Sequence, residues 1–284
     1  MSYRIFVESS ADLSKAQLAE YNISCIEMEF MHEDKAYTQN DVSIKEFYDM
    51  MRDGAHMTTS AANVSSYIAK FTSTLEAGED VLLLSFSSGL SCSYNNALLA
   101  AEELFEKYPE RKIVVVDTLC ASLGHGLIAY LTAKKRDEGA SITEAAAYAE
   151  ELIPHLCHSF TVETLKYLHR GGRVSTATAV AGSVLGIKPV MFMNNEGKLI
   201  ACGKVRGRKA SLEALADKLK THAIDSKNQT VFISQADCMD DAKVLEKMIK
   251  PYVKEVVIGD IGPLIGSHAG PGTVALFFVG DERV

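Results

Sequence analysis

Through the first half of the chain, short runs of aliphatic and β-branched residues alternate with amphipathic stretches. Residues 3–7, 24–30, 81–86 and 112–116 read as strands. Between them, the spacing of apolar positions predicts helices over residues 14–21, 94–107 and 121–137, and another after Asn63. Ser43 with Glu46, and Ser141 with Glu144, are capping-box pairs that open helices running to about Arg52 and about Leu156. Leu- and Val-rich strands alternating with helices predict a parallel sheet covered on both faces.

The second half has a different grammar. Residues 188–193 and 198–204 flank Asn194-Asn195-Glu196-Gly197, a hairpin signal that requires an antiparallel pair. A helix over 208–221, a strand over 230–234, a helix over 240–249 and strands over 255–258 and 273–279 complete the pattern. The fold class expected is therefore α/β in two domains. Residues 1–158 form a parallel-sheet domain, 159–284 a mixed-sheet domain, and the cleft between them is the ligand site.

Composition narrows the function. The chain has 284 residues and a formal charge of −8, which disfavours a broad surface for nucleic acid or anionic lipid. Its first residues, MSYRIFVESS, hold no long apolar core of a secretory signal, so a cytoplasmic protein is expected. Residues 81–101 carry no charge, but the hydroxyls and amides of SFSSGLSCSYNN do not suit hydrocarbon, so no transmembrane segment is expected. The six cysteines are scattered without metal-ligand spacing, which predicts reduced thiols and no metal site.

Candidate chemistry concentrates in four places. After the strand ending at Phe86, the loop SSGLSCS opens a helix with more hydroxyls than one cap uses, offering N–H groups and Ser91 to a carboxylate or phosphate. Thr58-Thr59-Ser60 is a second hydroxyl cluster that either caps the following helix or faces the first loop across the cleft. Near the end, IGPLIGSHAGPG sets His268 among glycines that allow close backbone approach; it is neither a dinucleotide fingerprint nor a phosphate loop. Basic residues gather at HRGGRVS and GKVRGRKAS, either as a docking site for a partner or as a solvated face.

Taken in order, ESSADL, TTSAAN, SSGLSCSYNNA, VVVDT with ASLGHG, ETLKYLHRGGRVS, LGIKPV, GKVRGRKAS and GSHAGPGTVALFF resemble the DegV family, the fatty-acid-binding proteins that serve bacterial fatty acid kinase. The similarity spans nearly the whole chain. It implies two α/β domains with a lipid between them and a carboxylate hydrogen-bonded by Thr59 and Ser91. Ser60, Cys92, Ser93 and His268 would stand beside that carboxylate. Arg173 and Arg206 match arginines that serve the kinase. Catalysis and ATP would belong to that partner, so the chain itself is expected to be a lipid carrier without its own cofactor, forming transient membrane contact at most. Ala61, Ala62, Asn63 and Cys92 depart from the family motifs and reshape the site.

An enzyme reading competes with this one: a serine hydrolase or acyltransferase with Ser91 as nucleophile and His268 as base. It lacks the GxSxG elbow and an evident acid to orient the histidine. A DNA-binding or regulatory reading has no recognition helix behind it.

Overall fold

The computed structural model describes residues 2–176 and 186–284; Leu185, the first residue of LGIKPV, lies outside them. The first half runs β1 (Tyr3–Glu8), α1 (Lys15–Glu20), β2 (Ile23–Ile26), β3 (Phe30–His32), β4 (Lys35–Tyr37), α2 (Ile44–Arg52), β5 (Met57–Thr59), α3 (Val64–Glu76), β6 (Asp80–Ser85), α4 (Ser93–Lys107), β7 (Ile113–Asp117), α5 (Ser122–Asp137) and α6 (Ile142–Leu152). The second continues with β8 (Leu156–Thr161), α7 (Lys166–Arg170), β9 (Ile187–Met193), β10 (Leu199–Arg206), α8 (Arg208–His222), β11 (Thr230–Gln235), α9 (Met239–Ile249), β12 (Glu255–Asp260), α10 (Pro263–Ala269) and β13 (Val274–Val279).

Two sheets carry the fold. The first is wholly parallel, in the order β2-β1-β6-β7. The second is mixed, in the order β10-β9-β8-β13-β11-β12, with only β11 and β12 parallel. Side-chain alternation assigns the faces. Phe6, Val81 and Leu83 pack with α3 and α4, whereas Ile5, Val7, Leu82 and Leu84 face α5 and α6. The same core continues through α5 into Phe160, Phe232 and Phe277 of the second sheet, so α5 is a layer shared by both sheets. Val274, Leu276 and Phe278 point the other way, into a core with α8 and α9.

Several elements differ from the sequence pattern. The strand expected over 24–30 divides: β2 stays parallel to β1, and β3 joins β4 and β5 in a small antiparallel sheet. The helix expected to reach Leu156 stops at Leu152, because Pro154 brings no N–H and the chain tightens into a single 3-10 turn. Leu156–Thr161 is then a fully buried strand between β9 and β13, and residue 158 falls inside it. The hairpin forms as expected between β9 and β10, with a bulge between Ala201 and Gly203.

Polar ties fix the two halves. Asp12 accepts the Gly262 N–H at the start of α10 and the Ser122 hydroxyl at the start of α5, at 2.9 and 2.6 Å. The Tyr48 phenol donates to the Ile261 carbonyl, and the Ser87 hydroxyl to the Gly197 carbonyl in the hairpin. Near the C-terminus, buried Arg283 donates to the carbonyls of Thr118, Leu119, Ile153 and Asn194, gathering loops from both halves.

The contact of α5 with the second sheet is close enough to test. A Cβ at Gly124 would lie 2.1 Å from His158 Nε2 and 2.7 Å from the Phe277 ring. Gly124→Val is expected to cost about 1–3 kcal/mol through overpacking, read as a lower urea midpoint at unchanged slope. A midpoint equal to that of the wild type would show that the layer is looser than described.

Candidate functional site

A cavity of about 280 Å³ opens between the halves. Its walls come from both sheets and from α10, and most are apolar: Phe86, Phe160, Met193, Leu264, Ile265 and Phe277 are representative. Just before β13, Thr273 donates to the Ala269 and Gly270 carbonyls next to His268, whereas Phe277 on the strand packs edge-on against His158. Those four residues of strand separate the two ends by about 13 Å.

Polar side chains gather at the Thr273 end. Thr59 closes β5, and its hydroxyl lies 2.8 Å from His268 Nε2 in the last turn of α10. The Thr58–Ser60 cluster is not the cap of α3. Asn63 is that cap, accepting the Ser66 N–H at 2.8 Å, which leaves Thr59 free to face the cavity. Ser60 is exposed at the mouth, its N–H held by the Glu29 carbonyl. Ser91, half-buried, and exposed Cys92 line the same end just before α4. Ala61 also lines it, and buried Ala62 is anchored to α4 by Asn96, which donates to its carbonyl at 2.8 Å.

The loop hydroxyls have separate duties. Ser87 holds the hairpin, and the Ser88 N–H is taken by Asp117. Ser93 is buried behind Ser91 rather than in the cavity lining, their hydroxyl oxygens 2.9 Å apart. Arg173, from the turn after α7, lines the cavity and donates to the carbonyls of Leu90 and Gly171. Burial holds its guanidinium below the usual arginine range. Arg206 is elsewhere, exposed on β10; its backbone pairs with Ile187, and its side chain makes no hydrogen bond or ion pair with the described residues. The structure therefore brings Thr59, Ser60, Ser91, Cys92, Arg173 and His268 together and leaves Ser93 behind them and Arg206 apart.

His268 is neutral in this setting. Burial first, and the Arg173 charge second, push its imidazole down to about 4. Its ring lies flush against Gly171, where a Cβ would come within 2.1 Å of Nδ1; only glycine permits that approach. A hydrolytic pair would bond Ser91 to His268 and His268 to an acid. Here Ser91 bonds Ser93, His268 bonds Thr59, and His268 Nδ1 is buried without a partner among the described residues. No group of three or more His, Cys, Asp or Glu among the described residues could hold a metal ion.

The opposite end was not legible beforehand. His158, wholly buried on β8, accepts the Ala121 N–H at 3.4 Å, and burial with the nearby Arg283 charge pushes it down to about 3. With Phe160 and Phe277 it closes the apolar end, a role that no sequence motif marks.

This chain matches the family model described as "Uncharacterised protein, DegV family" over residues 2–281, and it belongs to the DegV family. A DegV domain-containing protein of Clostridium perfringens is 40% identical over 284 residues, covering 98% of each chain. Among solved structures, a DegV family protein of Thermus thermophilus described as fatty-acid binding superposes with a TM-score of 0.90 at 28% identity, covering 99% of this chain and 100% of that one. A Thermotoga maritima protein described as revealing a fatty-acid-binding function gives 0.87 at 30% identity, covering 99% of each. No described helix is long and apolar enough to cross a membrane.

The depressed imidazoles set a pH dependence. A histidine whose folded value lies below its unfolded 6.5 contributes stability that is present above 6.5 and lost as pH falls toward the folded value. Asp12, pushed up to about 7 by burial, works in the opposite sense, so the histidine contribution is read by difference. Between pH 6.5 and 4.5 the urea midpoint of His268→Gln is expected to fall less than that of the wild type. Parallel curves would mean that His268 takes up its proton equally in the folded and unfolded chain, so that its folded environment does not depress it.

Proposed function

We propose that this protein binds a long-chain fatty acid with its tail along the apolar cavity and its carboxyl at Thr59, Ser91 and His268. We further propose that it presents that head to a separate ATP-dependent fatty acid kinase, which forms the acyl phosphate. The observation carrying this reading is a mostly apolar cavity with Thr59, Ser60, Ser91, Arg173 and His268 gathered at one end and no acidic side chain among its lining residues. Relatives described as binding fatty acids share the architecture.

The energetics agree with a carrier. Each buried methylene contributes roughly 0.8 kcal/mol, so a long tail supplies on the order of 10 kcal/mol before ordering costs. Affinity then comes from the walls, and the head needs only orientation. Neutral hydroxyls orient it without the strong charge pairing that would make it a poorer nucleophile. Arg173 beside the head and exposed Arg206 on β10 are our candidates for contact with the partner, whose ATP brings negative charge. We place the carrier in the cytoplasm, meeting membranes only to load or release lipid. Catalysis belongs to the partner in this scheme.

The test is direct. Protein purified from cells should release a stoichiometric long-chain acid on extraction, identified by mass spectrometry. With a fatty acid kinase, the Thr59→Ala/Ser91→Ala double variant should form acyl phosphate at least about tenfold more slowly, the loss of roughly 1.4 kcal/mol of hydrogen bonding. An empty protein that also refuses a panel of long-chain acids would end the carrier reading, and full activity in the double variant would end the head-group assignment.

A further inference from the structure

The basic motif GKVRGRKAS divides its arginines between solvent and interior. Arg206 ends β10 exposed, whereas Arg208, two residues on, opens α8 with its side chain only 20% exposed. The Arg208 guanidinium bridges two other segments. Its Nε donates to the Asp241 carboxylate of α9 at 2.9 Å and its Nη2 to the Gly272 carbonyl at 2.7 Å, while Nη1 is buried without a partner among the described residues. A guanidinium donates and never accepts, so both bonds have a fixed direction, and the charge strengthens them.

Gly272 belongs to the turn Gly270-Pro271-Gly272, which joins the last turn of α10 to β13. That turn is held from several directions. The Gly272 N–H donates to the Ala236 carbonyl at 2.8 Å, and the Thr273 hydroxyl donates back to the Ala269 and Gly270 carbonyls at 3.0 and 2.9 Å. The Tyr167 ring lies against Gly270. Just before this turn stands His268, its Nε2 2.8 Å from the Thr59 hydroxyl oxygen. A seven-residue helix has too few internal bonds to fix a side chain in its last turn. Asp12 and Tyr48 hold its start, and Arg208 supplies a charged donor at its exit.

We propose that Arg208 is a positioning residue for His268: by clamping the Gly272 carbonyl to the starts of α8 and α9, it keeps the imidazole against Thr59 at the polar end of the cavity. Its part in holding a ligand's head rests on the fatty-acid reading above. Arg208 itself is not a lining residue of the cavity. The charge that bears on the His268 imidazole is that of Arg173, so an influence of Arg208 on that ring travels through the turn. Around the clamp the titratable and charged groups are Asp241 of α9, Cys238 just before it, and Glu163 paired with Lys188 of β9. Around His268 they are Arg173, after α7, and Cys92, before α4. The segment that holds the turn also carries Arg206, our candidate for partner contact, so docking surface and head histidine share one piece of chain.

The experiment follows the His268 imidazole by NMR in the full-length protein labelled at histidine, between about pH 4.5 and 8, with the resonance assigned by its loss in His268→Gln. Wild type should keep the neutral-form shift down to about pH 5. In Arg208→Met the ring should lose part of its burial and titrate at least about one pH unit higher. Arg208→Lys keeps the charge but not the fork; it should move His268 in the same direction by less, and it decides alone if Arg208→Met does not fold. With a fatty acid kinase, Arg208→Met should keep its bound acid and its KM while kcat falls about fivefold or more, whereas Arg206→Ala should raise KM. Wild-type titration of His268 in every variant that folds would overturn the proposal, even with a lower urea midpoint, because an ordinary structural tie does no more than that. A raised KM at unchanged kcat in Arg208→Met would overturn it too, placing Arg208 in docking. A shifted His268 in a protein that binds no fatty acid would support the clamp and end the fatty-acid reading.

Discussion

Methylenes leave water at a gain of about 0.8 kcal/mol each, whereas a carboxyl moved with them loses several kcal/mol unless it finds partners. Any protein that takes up such a molecule must put its few polar groups at one end of an otherwise apolar space. The cavity between these two sheets is mostly apolar and gathers a polar cluster at one end. Aliphatic and aromatic side chains from β8, β9, β13 and α10 line its length, and Thr59, Ser91 and His268 converge where β5, α4 and α10 come together.

That convergence depends on how the halves are joined. Helix α10 has only seven residues, too short to hold itself, and carries His268 in its last turn. Its first turn is fixed by Asp12 accepting the Gly262 N–H, its flank by Tyr48 donating to Ile261, and its outer face by α7. Thr59 reaches the same point on a three-residue strand, possible because β3 and β4 supply the pairing that so short a segment needs. The geometry of this polar end is thus an outcome of packing between the halves, which sets Thr59 of one 2.8 Å from His268 of the other.

Much of the scaffold was legible in the chain. Continuous apolar runs marked β1, β6 and β7, and reciprocal Ser/Glu pairs marked the starts of α2 and α6. Asn194-Asn195-Glu196-Gly197 marked the hairpin between β9 and β10. What escaped had physical reasons. Leu156–Thr161 is buried on both faces and lacks the alternation that separates a strand from a helix continuation. The strands β3, β4 and β5 are three residues each, below what periodicity resolves. Thr59, Ser91 and His268 stood out because their motifs are distinctive. Phe160, Phe277 and His158 did not, since wall residues are chemically ordinary core and become walls only by tertiary position. Ser93 shared the motif of Ser91, but a helix start turns adjacent hydroxyls in different directions, one to the cavity and one to the interior.

The most direct measurement of the central claim is a crystal structure of the protein with a fatty acid bearing bromine on its terminal carbon, located by anomalous scattering. The account predicts a bromine peak against His158 and Phe277, with the carboxyl between Thr59 and Ser91. A bromine at the mouth beside Cys92, or on the outer surface, would contradict it.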